Sequence, residues 1–427
     1  MSLSFTFRTS TAIRLSGARL VTARLVTALP VTALLVTVFF VTVLLVNALL
    51  VTALLAGPAR AADSAVILQY HHVDASTPPS TSVSPEVFAA HLNYLEERQF
   101  TVLPVSEIVE ALGSGRELPD LCVGITFDDA YSSVGESAWP LLRERGWPAT
   151  IFVTTGGVDE GIASYLTWDE MKQMAAEGAE FGGHSVTHDY LIRRRPDESE
   201  SEWHRRVRED IRVSCERVEE QLLSGDARCR LFAYPYGEYD RALREIVADL
   251  GLVGFGQHSG PVGPLSDTLA LPRFPASGPY ADLGELATKL YTLPLPVRRA
   301  DPLDPVLPED LERPVLRLEL AAGDYHLREL AAYASGQGRI DIRIVREGDP
   351  EATAGAADRE RDPTETPAGA VIEIVPSADL PEGRSRYNIT APQRGAVPAT
   401  LPGFPEGVPG GLPGGVRYYW YSHLWIR

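Results

Sequence analysis

Two adjacent aspartates, Asp128 and Asp129, close one apolar run, and two histidines, His184 and His188, close a second such run further along the chain. Together they offer two imidazoles and a carboxylate as metal ligands, with one carboxylate to spare. That is the inventory of a metal-assisted hydrolase, because such a ligand set leaves open positions on a divalent ion for water and substrate. The run ahead of the aspartates, Cys122 to Phe127, is apolar and β-branched, which puts both acids at the carboxyl end of a buried strand. Successive strand residues point opposite ways, so the two acids need not share a role. The histidines, spaced i and i+4, meet on one face of a helical turn or converge in a loop after a strand. An Asp-Asp pair alone is an ordinary solvated turn, and a lone His-x-x-x-His arises by chance. It is their conjunction, each after an apolar strand signal, that points to a site.

A third segment repeats the pattern of strand and then turn, Leu231-Phe232-Ala233-Tyr234-Pro235-Tyr236-Gly237. With these segments the chain, over Ala65 to Pro296, resembles the polysaccharide deacetylases of carbohydrate esterase family 4. The resemblance implies that Asp128, in Thr126-Phe127-Asp128-Asp129, is the catalytic base. It implies that Asp129, His184 and His188 hold a divalent metal ion, with Zn2+ the leading candidate among divalent transition metals. It also turns the backbone N–H of Tyr236 toward the oxyanion. Chitin and peptidoglycan deacetylases usually carry an arginine in the third motif and a late Leu-x-His; here Ala233 replaces the arginine and the late motif is missing. The acid must then come from elsewhere. Ile67-Leu68-Gln69-Tyr70-His71-His72-Val73 is similar to the Tyr-His-x-Val of deacetylases that act on exported poly-β-1,6-N-acetylglucosamine, where the first histidine is the general acid. His71 is therefore the candidate acid, with His72 as its competitor and a purely structural histidine pair as the plain alternative.

The chemistry asks for these roles. Amide hydrolysis near neutral pH needs an activated water, and a bound divalent cation acidifies that water while polarising the acetyl carbonyl. A carboxylate close by and not itself ligated can take the water's proton, and a second group must protonate the departing amine. The oxyanion is then held by the cation and a backbone N–H. Arg273, in Leu271-Pro272-Arg273-Phe274, follows the last strand signal of this region and either orients Asp128 or serves as a structural arginine.

At 427 residues the chain exceeds one typical domain, and 44% hydrophobic content supports a sizeable core. The segment before Ala62 holds Arg8, Arg14, Arg19, Arg24 and Arg60 and no acid, so its removal takes the net charge from −18 to −23. Such acidity argues against nucleic acid or anionic lipid as partners and is compatible with neutral or partly deacetylated, cationic glycans. Residues 1–61 form a targeting segment, with arginines ahead of an apolar stretch from Leu25 to Leu55 built on a Leu-Val-Thr-Ala-Leu pentad. Ala59-Arg60-Ala61 makes a small-x-small cleavage site, yet the stretch is also long enough to span a bilayer, so an uncleaved membrane anchor competes with a cleaved signal peptide. Either outcome places the rest of the chain outside the cytoplasm. Cys122 reads as a core filler, and Cys215 with Cys229 form a possible disulfide pair that spacing alone does not establish.

Strand signals at 65–70, 100–103, 121–127, 149–154, 180–184, 230–234, 252–256 and 269–274 alternate with helical patterns, which implies a parallel barrel. By resemblance it is a distorted (β/α)7 barrel over residues 62–296. Ser84-Pro85 reads as a helix start, Thr167-Trp168-Asp169-Glu170 as a capping box, and Trp203, Val207, Ile211, Val218 and Leu222 as the buried stripe of a long helix. A Pro-rich linker, 297–313, leads to a small all-β, sandwich-like domain over 314–427, with loops at Glu347–Gly369 and Pro402–Gly415. Its last strand puts Tyr419, Tyr421, His423 and Trp425 on one face and Tyr418, Trp420, Leu424 and Ile426 on the other. One face is core; the other is core or a platform for sugar rings.

Three functions from different classes fit these features. The preferred one is a metal-dependent deacetylase of an extracytoplasmic N-acetylhexosamine polysaccharide. The second is a non-haem iron oxygenase, since two histidines and a carboxylate also describe a facial triad. The third is a catalytically inactive glycan-binding protein of the cell envelope that keeps the fold.

Overall fold

The computed structural model describes residues 61–345, 370–394 and 417–427. The N-terminal segment and both long loops of the C-terminal part lie outside the described residues. Among the described residues no helix is long and apolar enough to cross a membrane.

The first half alternates strands and helices: β1 (Val66–Tyr70), α1 (Pro85–Glu97), β2 (Thr101–Val102), α2 (Val105–Ser114), β3 (Cys122–Phe127), α3 (Trp139–Glu144) and β4 (Thr150–Val153). It continues with α4 (Trp168–Ala176), β5 (Glu180–Gly183), α5 (Glu200–Leu222), β6 (Leu231–Ala233), α6 (Arg241–Asp249), β7 (Val253–Phe255), β8 (Phe274–Pro275) and α7 (Leu283–Leu290). The helix starts follow local chemistry. Ser84 caps α1, and reciprocal capping boxes at Thr167/Glu170 and Ser199/Glu202 start α4 and α5, satisfying N–H groups that have no partner inside the helix. Trp203, Val207, Ile211 and Val218 are buried along one face of α5.

Seven strands lie side by side in parallel in the order β7-β6-β5-β4-β3-β1-β8, with β2 beside the start of β3. The strands β1 and β3 are buried at every residue, as a sheet covered on both faces requires. The segment Leu271–Pro275 brings the two ends of the sheet together. Leu271 forms a parallel bridge to Phe255, and Phe274 pairs with Leu68. The curled parallel sheet with helices around it agrees with the barrel expected from alternation. The observed strands fall within a residue or two of the expected spans, except that the last one is reduced to two residues by Pro272 and Pro275.

The second half is all β. It contains β9 (Leu293–Pro294), β10 (Val297–Asp301), β11 (Leu316–Leu320), β12 (Ala331–Ala334), β13 (Gly338–Val345), β14 (Ala370–Val375), β15 (Arg384–Pro392) and β16 (Tyr418–Ile426). They form one path, β9-β16-β15-β12-β13-β14-β11-β10, antiparallel except for the β9–β16 pair. Leu316, Leu318, Leu320, Ile372, Ile374, Tyr387, Ile389 and Trp425 fill its own core. Besides the two-residue β9, two longer strands escape sequence reading. The stretch taken as the start of a linker is β10, whose Val-Arg-Arg-Ala-Asp sequence has no clean alternation, and β12 is Ala-Ala-Tyr-Ala, poor in β-forming residues.

The sequence leaves the second face of the last strand open between core and a platform for sugar rings, and core contacts occupy most of it. On β16, Trp425 with Tyr419 and Tyr421 packs into the C-terminal core, while Trp420, Leu424 and Ile426 pack against the barrel core, Trp420 edge-on to Phe274 at 5.5 Å. Both faces pack on protein beyond Tyr418, which is exposed. The three cysteines are buried free thiols.

Two buried histidines belong to the contact between the halves: His258, after β7, and His423, on β16. Neither His258 Nδ1 nor His423 Nε2 has a hydrogen-bond partner. Burial first, and then neighbouring cations (Arg386 for His258, Arg244 for His423), pushes each imidazole down to about 3. Since both folded values lie below the ordinary 6.5, the unfolded chain takes up protons that the folded chain refuses, and stability falls as pH drops below 6.5. The expected slope is up to about 1.4 kcal/mol per pH unit for each histidine. Urea unfolding of the full chain at several pH values between about 6.5 and 5 should show this decline, and a His258→Leu/His423→Leu double variant should flatten it; an unchanged slope would contradict the assignment.

Candidate active site

Every candidate residue except Arg273 lies at or shortly after the carboxyl end of a barrel strand, where strand alternation gives way to loops free to aim side chains inward. His71 follows β1, Asp128 and Asp129 follow β3, His184 follows β5, Tyr236 follows β6, and Arg273 sits in the segment that closes the sheet.

The adjacent aspartates face different partners. Asp129 and Ala130 adopt left-handed backbone with φ of 74° and 65°, so the chain turns sharply directly after Asp128. Non-glycine residues in this region cost about 1–3 kcal/mol each and persist only where surroundings over-determine them. Asp128, with no exposed surface, points at Arg273, which is also fully buried. Arg273 Nη1 donates to Asp128 Oδ1 at 2.6 Å and Nη2 to Oδ2 at 2.9 Å, a bidentate fork. Gln69 Nε2 adds a donor to Oδ2 at 2.6 Å. Arg273 is itself held by Gly256 O at 3.0 Å and Thr126 Oγ1 at 3.1 Å. Burial alone pushes the Asp128 carboxyl up, but the guanidinium outweighs it and holds the group at about 2. Of the two readings for Arg273, orienting Asp128 and being structural, the geometry combines both.

Asp129 turns instead to the histidines. Its Oδ1 lies 3.3 Å from His184 Nε2 and 3.1 Å from His188 Nε2. Sequence spacing left open a helical turn or a loop for the pair, and it is a loop: Ser185 and His188 are left-handed, with φ of 66° and 53°. Ser185 Oγ accepts from His188 N at 2.8 Å, and Asp210 on α5 accepts from Val186 N at 2.9 Å and from Thr187 Oγ1 at 3.0 Å. The helix thus pins the loop that carries both imidazoles. His184 Nδ1 lies 2.8 Å from Ala233 O and must donate to it, so that in the neutral ring Nε2 keeps the lone pair, buried and without a hydrogen bond of acceptable geometry.

This donor set fits a divalent cation. One atom from each of Asp129, His184 and His188 falls within 4.8 Å of the others, and it is the one group of three such ligands found among the described residues. Lone pairs of two imidazoles and a carboxylate aimed at one point repel one another unless a proton or a metal lies among them. The electrostatics register the same demand. Burial opposes charge on His184, yet Asp129 and Asp128 hold its pKa above the ordinary value, while the two histidines hold Asp129 well below the carboxylate range. Two imidazoles, one carboxylate and open positions suit zinc or another divalent transition metal.

His71 and His72 part ways as strand alternation requires. His71 Nε2 lies 3.9 Å from Asp128 Oδ2, with the side chain 18% exposed. Burial pulls its pKa down against the pull of Asp128 and Asp129. His72 stacks on Tyr131 at 3.7 Å. Tyr236 occupies a turn with φ 59° and ψ 1°; the bonds that close the turn, Gly237 N to Tyr234 O and Glu238 N to Pro235 O, leave its N–H unused. Its ring packs on His188 at 4.7 Å and stacks on Tyr190 at 3.9 Å. Gln69, Thr126 and Asp210 escaped sequence assignment. The first two do carry a signal, as lone polar residues inside the otherwise apolar buried runs of β1 and β3.

Removing Arg273 should leave Asp128 as a buried charge held by Gln69 alone. Arg273→Met is expected to lose about 3–5 kcal/mol of stability at neutral pH. The wild-type pair stabilises the fold above the ordinary carboxyl value of 3.8 and loses that contribution as pH falls toward about 2. In the variant, Asp128 takes up a proton at higher pH, so the gap between the two proteins should narrow on acidification. Chemical denaturation at pH 7 and near pH 4 checks both points; a gap that is small at pH 7, or that does not narrow, would contradict them.

Comparison with known proteins gives a family match over part of the chain. Residues 115–255, which hold the aspartates, both histidines and Tyr236, match the family described as polysaccharide deacetylase. The chain is 32% identical to Bacillus subtilis YxkH over 136 residues, covering 32% of this chain and 47% of that protein. It is 24% identical to the poly-β-1,6-N-acetyl-D-glucosamine N-deacetylase of Escherichia coli K12 over 285 residues, covering 58% of this chain and 42% of that protein. The chain thus spans less than half the length of either relative. Among solved structures, Streptococcus pyogenes deacetylase PplD in complex with acetate is similar at 26% identity and a TM-score of 0.47, covering 53% of this chain and 98% of that one. What the chain shares with the polysaccharide deacetylase family is thus a match over residues 115–255.

Proposed function

We propose that the protein is a metal-dependent hydrolase that removes acetyl groups from an extracytoplasmic N-acetylhexosamine polysaccharide, with poly-β-1,6-N-acetylglucosamine the first substrate to test. The observation that carries this reading is the division of labour between neighbours. Asp129 joins His184 and His188 in a cation site, and Asp128, one residue away, is clamped out of that site by Arg273 and Gln69. An iron oxygenase needs no such second carboxylate, and an inactive glycan binder has no use for either. The chain's acidity, the arginines and apolar stretch of residues 1–61, and the named activity of the Escherichia coli relative support the substrate and the location.

Asp129, His184 and His188 would hold a divalent ion, which would supply an acidified water and polarise the acetyl carbonyl. Asp128 is ionised at any pH well above 2 and so stands ready to accept the water's proton, though its own proton affinity is low. Arg273 and Gln69 fix the carboxylate's direction, so it needs no reorientation at the moment of transfer. The Tyr236 N–H, left free by its turn, donates to the developing oxyanion. His71, 3.9 Å from Asp128 Oδ2, protonates the leaving nitrogen. Because burial keeps His71 largely neutral at pH 7 in the free protein, the proton it delivers is the one Asp128 has taken, passed across that gap.

Acetate release from β-1,6- and β-1,4-linked N-acetylglucosamine oligomers by the zinc-loaded protein tests the function. Release that stops on chelation, returns with metal and is faster on the β-1,6 series is expected; no release from either series would refute the proposal. For the acid, His71→Ala should lower kcat by about 10²- to 10⁴-fold with metal still bound, while His72→Ala does far less. If the His72 variant proved the inactive one, the acid role would pass to the ring stacked on Tyr131.

A further inference from the structure

The loop that presents Tyr236 is gripped from outside the barrel. Arg384, the first residue of β15 in the C-terminal half, donates from Nη1 to the carbonyl oxygen of Tyr236 and, at 3.4 Å, to Gln257 Oε1. Its Nε lies 3.8 Å from Glu238 Oε1. Two residues on, Arg386 shares its face of the strand and donates to Gln257 O at 3.0 Å. Gln257 stands between Gly256, whose carbonyl accepts from Arg273 Nε, and His258, whose carbonyl accepts from Arg273 N, each at 3.0 Å. One strand of the C-terminal half therefore touches both loops behind the chemistry: the turn after β6, which aims the Tyr236 N–H, and the loop after β7, which cradles Arg273.

Tyr236 is where such a grip has most effect. Its left-handed backbone is unfavourable for a tyrosine, and a relaxed turn would rotate the N–H away from its direction. The Tyr190 ring, stacked 8° from parallel, holds the side chain but not the peptide. On one side of the residue the Pro235 ring restricts the backbone. On the other, the bond from Arg384 to the carbonyl fixes the plane of the next peptide. With both neighbours fixed, the N–H keeps one direction.

We propose that Arg384 is a positioning residue for the deacetylation reaction, and that through it the C-terminal β half forms part of the catalytic apparatus. The inference rests on the deacetylase reading of the site. Arg384 touches neither the cation site nor Asp128, and its side chain is 39% exposed, so replacing it opens no cavity in either core.

The test uses the full chain, loaded with zinc, and acetate release from an N-acetylglucosamine oligomer. Arg384→Met should lower kcat by about 10-fold or more, a fraction of what loss of a whole oxyanion donor costs, with KM changed by less than about twofold. Metal content, the thermal midpoint and the shape of the pH profile should stay as in the wild type. Arg384→Lys, which supplies a single donor to the same carbonyl, should recover most of the loss. An Arg384→Met variant with wild-type kcat, a loss expressed in KM, or a loss that lysine does not restore would overturn the proposal. A wild-type protein that releases no acetate from any oligomer would overturn the deacetylase reading, and this inference with it.

Discussion

A buried ion pair, Arg273 with Asp128, lies where the curled sheet of the barrel meets itself, and much else is arranged around it. Both groups are fully buried, and a pair in such a place repays its desolvation only when geometry is good and the remaining polar atoms are satisfied. Those conditions hold here. The fork is bidentate, Gln69 supplies a third donor to the carboxylate, and Thr126 and Gly256 take the remaining reach of the guanidinium. These partners come from β1, β3 and the loop after β7, so the pair ties the paired strands β1 and β3 to a loop that the closing segment brings beside them. The fold needs the pair satisfied, and the pair in turn holds one carboxylate ionised and aimed. Structure and proposed chemistry therefore draw on the same bonds.

The consequence for the site is a separation enforced over a single peptide bond. Left-handed backbone at Asp129 and Ala130 turns the second carboxylate away from Arg273 and toward His184 and His188. A straight continuation of β3 would also have sent the two side chains apart, but toward opposite faces of the sheet and not into one mouth. The turn keeps both acids at the same end of the barrel with different partners. On the far side, Asp210 on α5 holds the loop that carries both histidines and Ala233 O at the end of β6 fixes the His184 ring, so the candidate cation site is supported by two separate elements.

Much of this arrangement is legible in the chain. Apolar β-branched runs mark β1, β3 and β4, capping residues mark α1 and α4, and the chemically capable residues stand directly after strands, where a parallel barrel exposes them. Alternation along Tyr70-His71-His72 separates the two histidines, and the structure stacks His72 on Tyr131. What could not be read is tertiary in origin. Gln69 and Thr126 look like imperfections in apolar strands until Arg273 is brought to them from far along the chain. Asp210 is one acid among many on a charged helix, and Arg384 one arginine among many in a β-rich half. The strand Ala331–Ala334 owes its state to neighbours on both sides rather than to its own residues, and the aromatic strand at the C-terminus has both faces covered because two cores, not one, meet on it.

We propose that Asp128 and Asp129, adjacent and both buried, do different work: one is clamped by Arg273, the other joins the histidines around a cation. Zinc binding measured by calorimetry on the Asp128→Asn and Asp129→Asn proteins tests this most directly. Asp128→Asn should still bind one equivalent of zinc, while Asp129→Asn should lose affinity by about 100-fold or more. Equal loss in both proteins, or full binding by Asp129→Asn, would contradict the account.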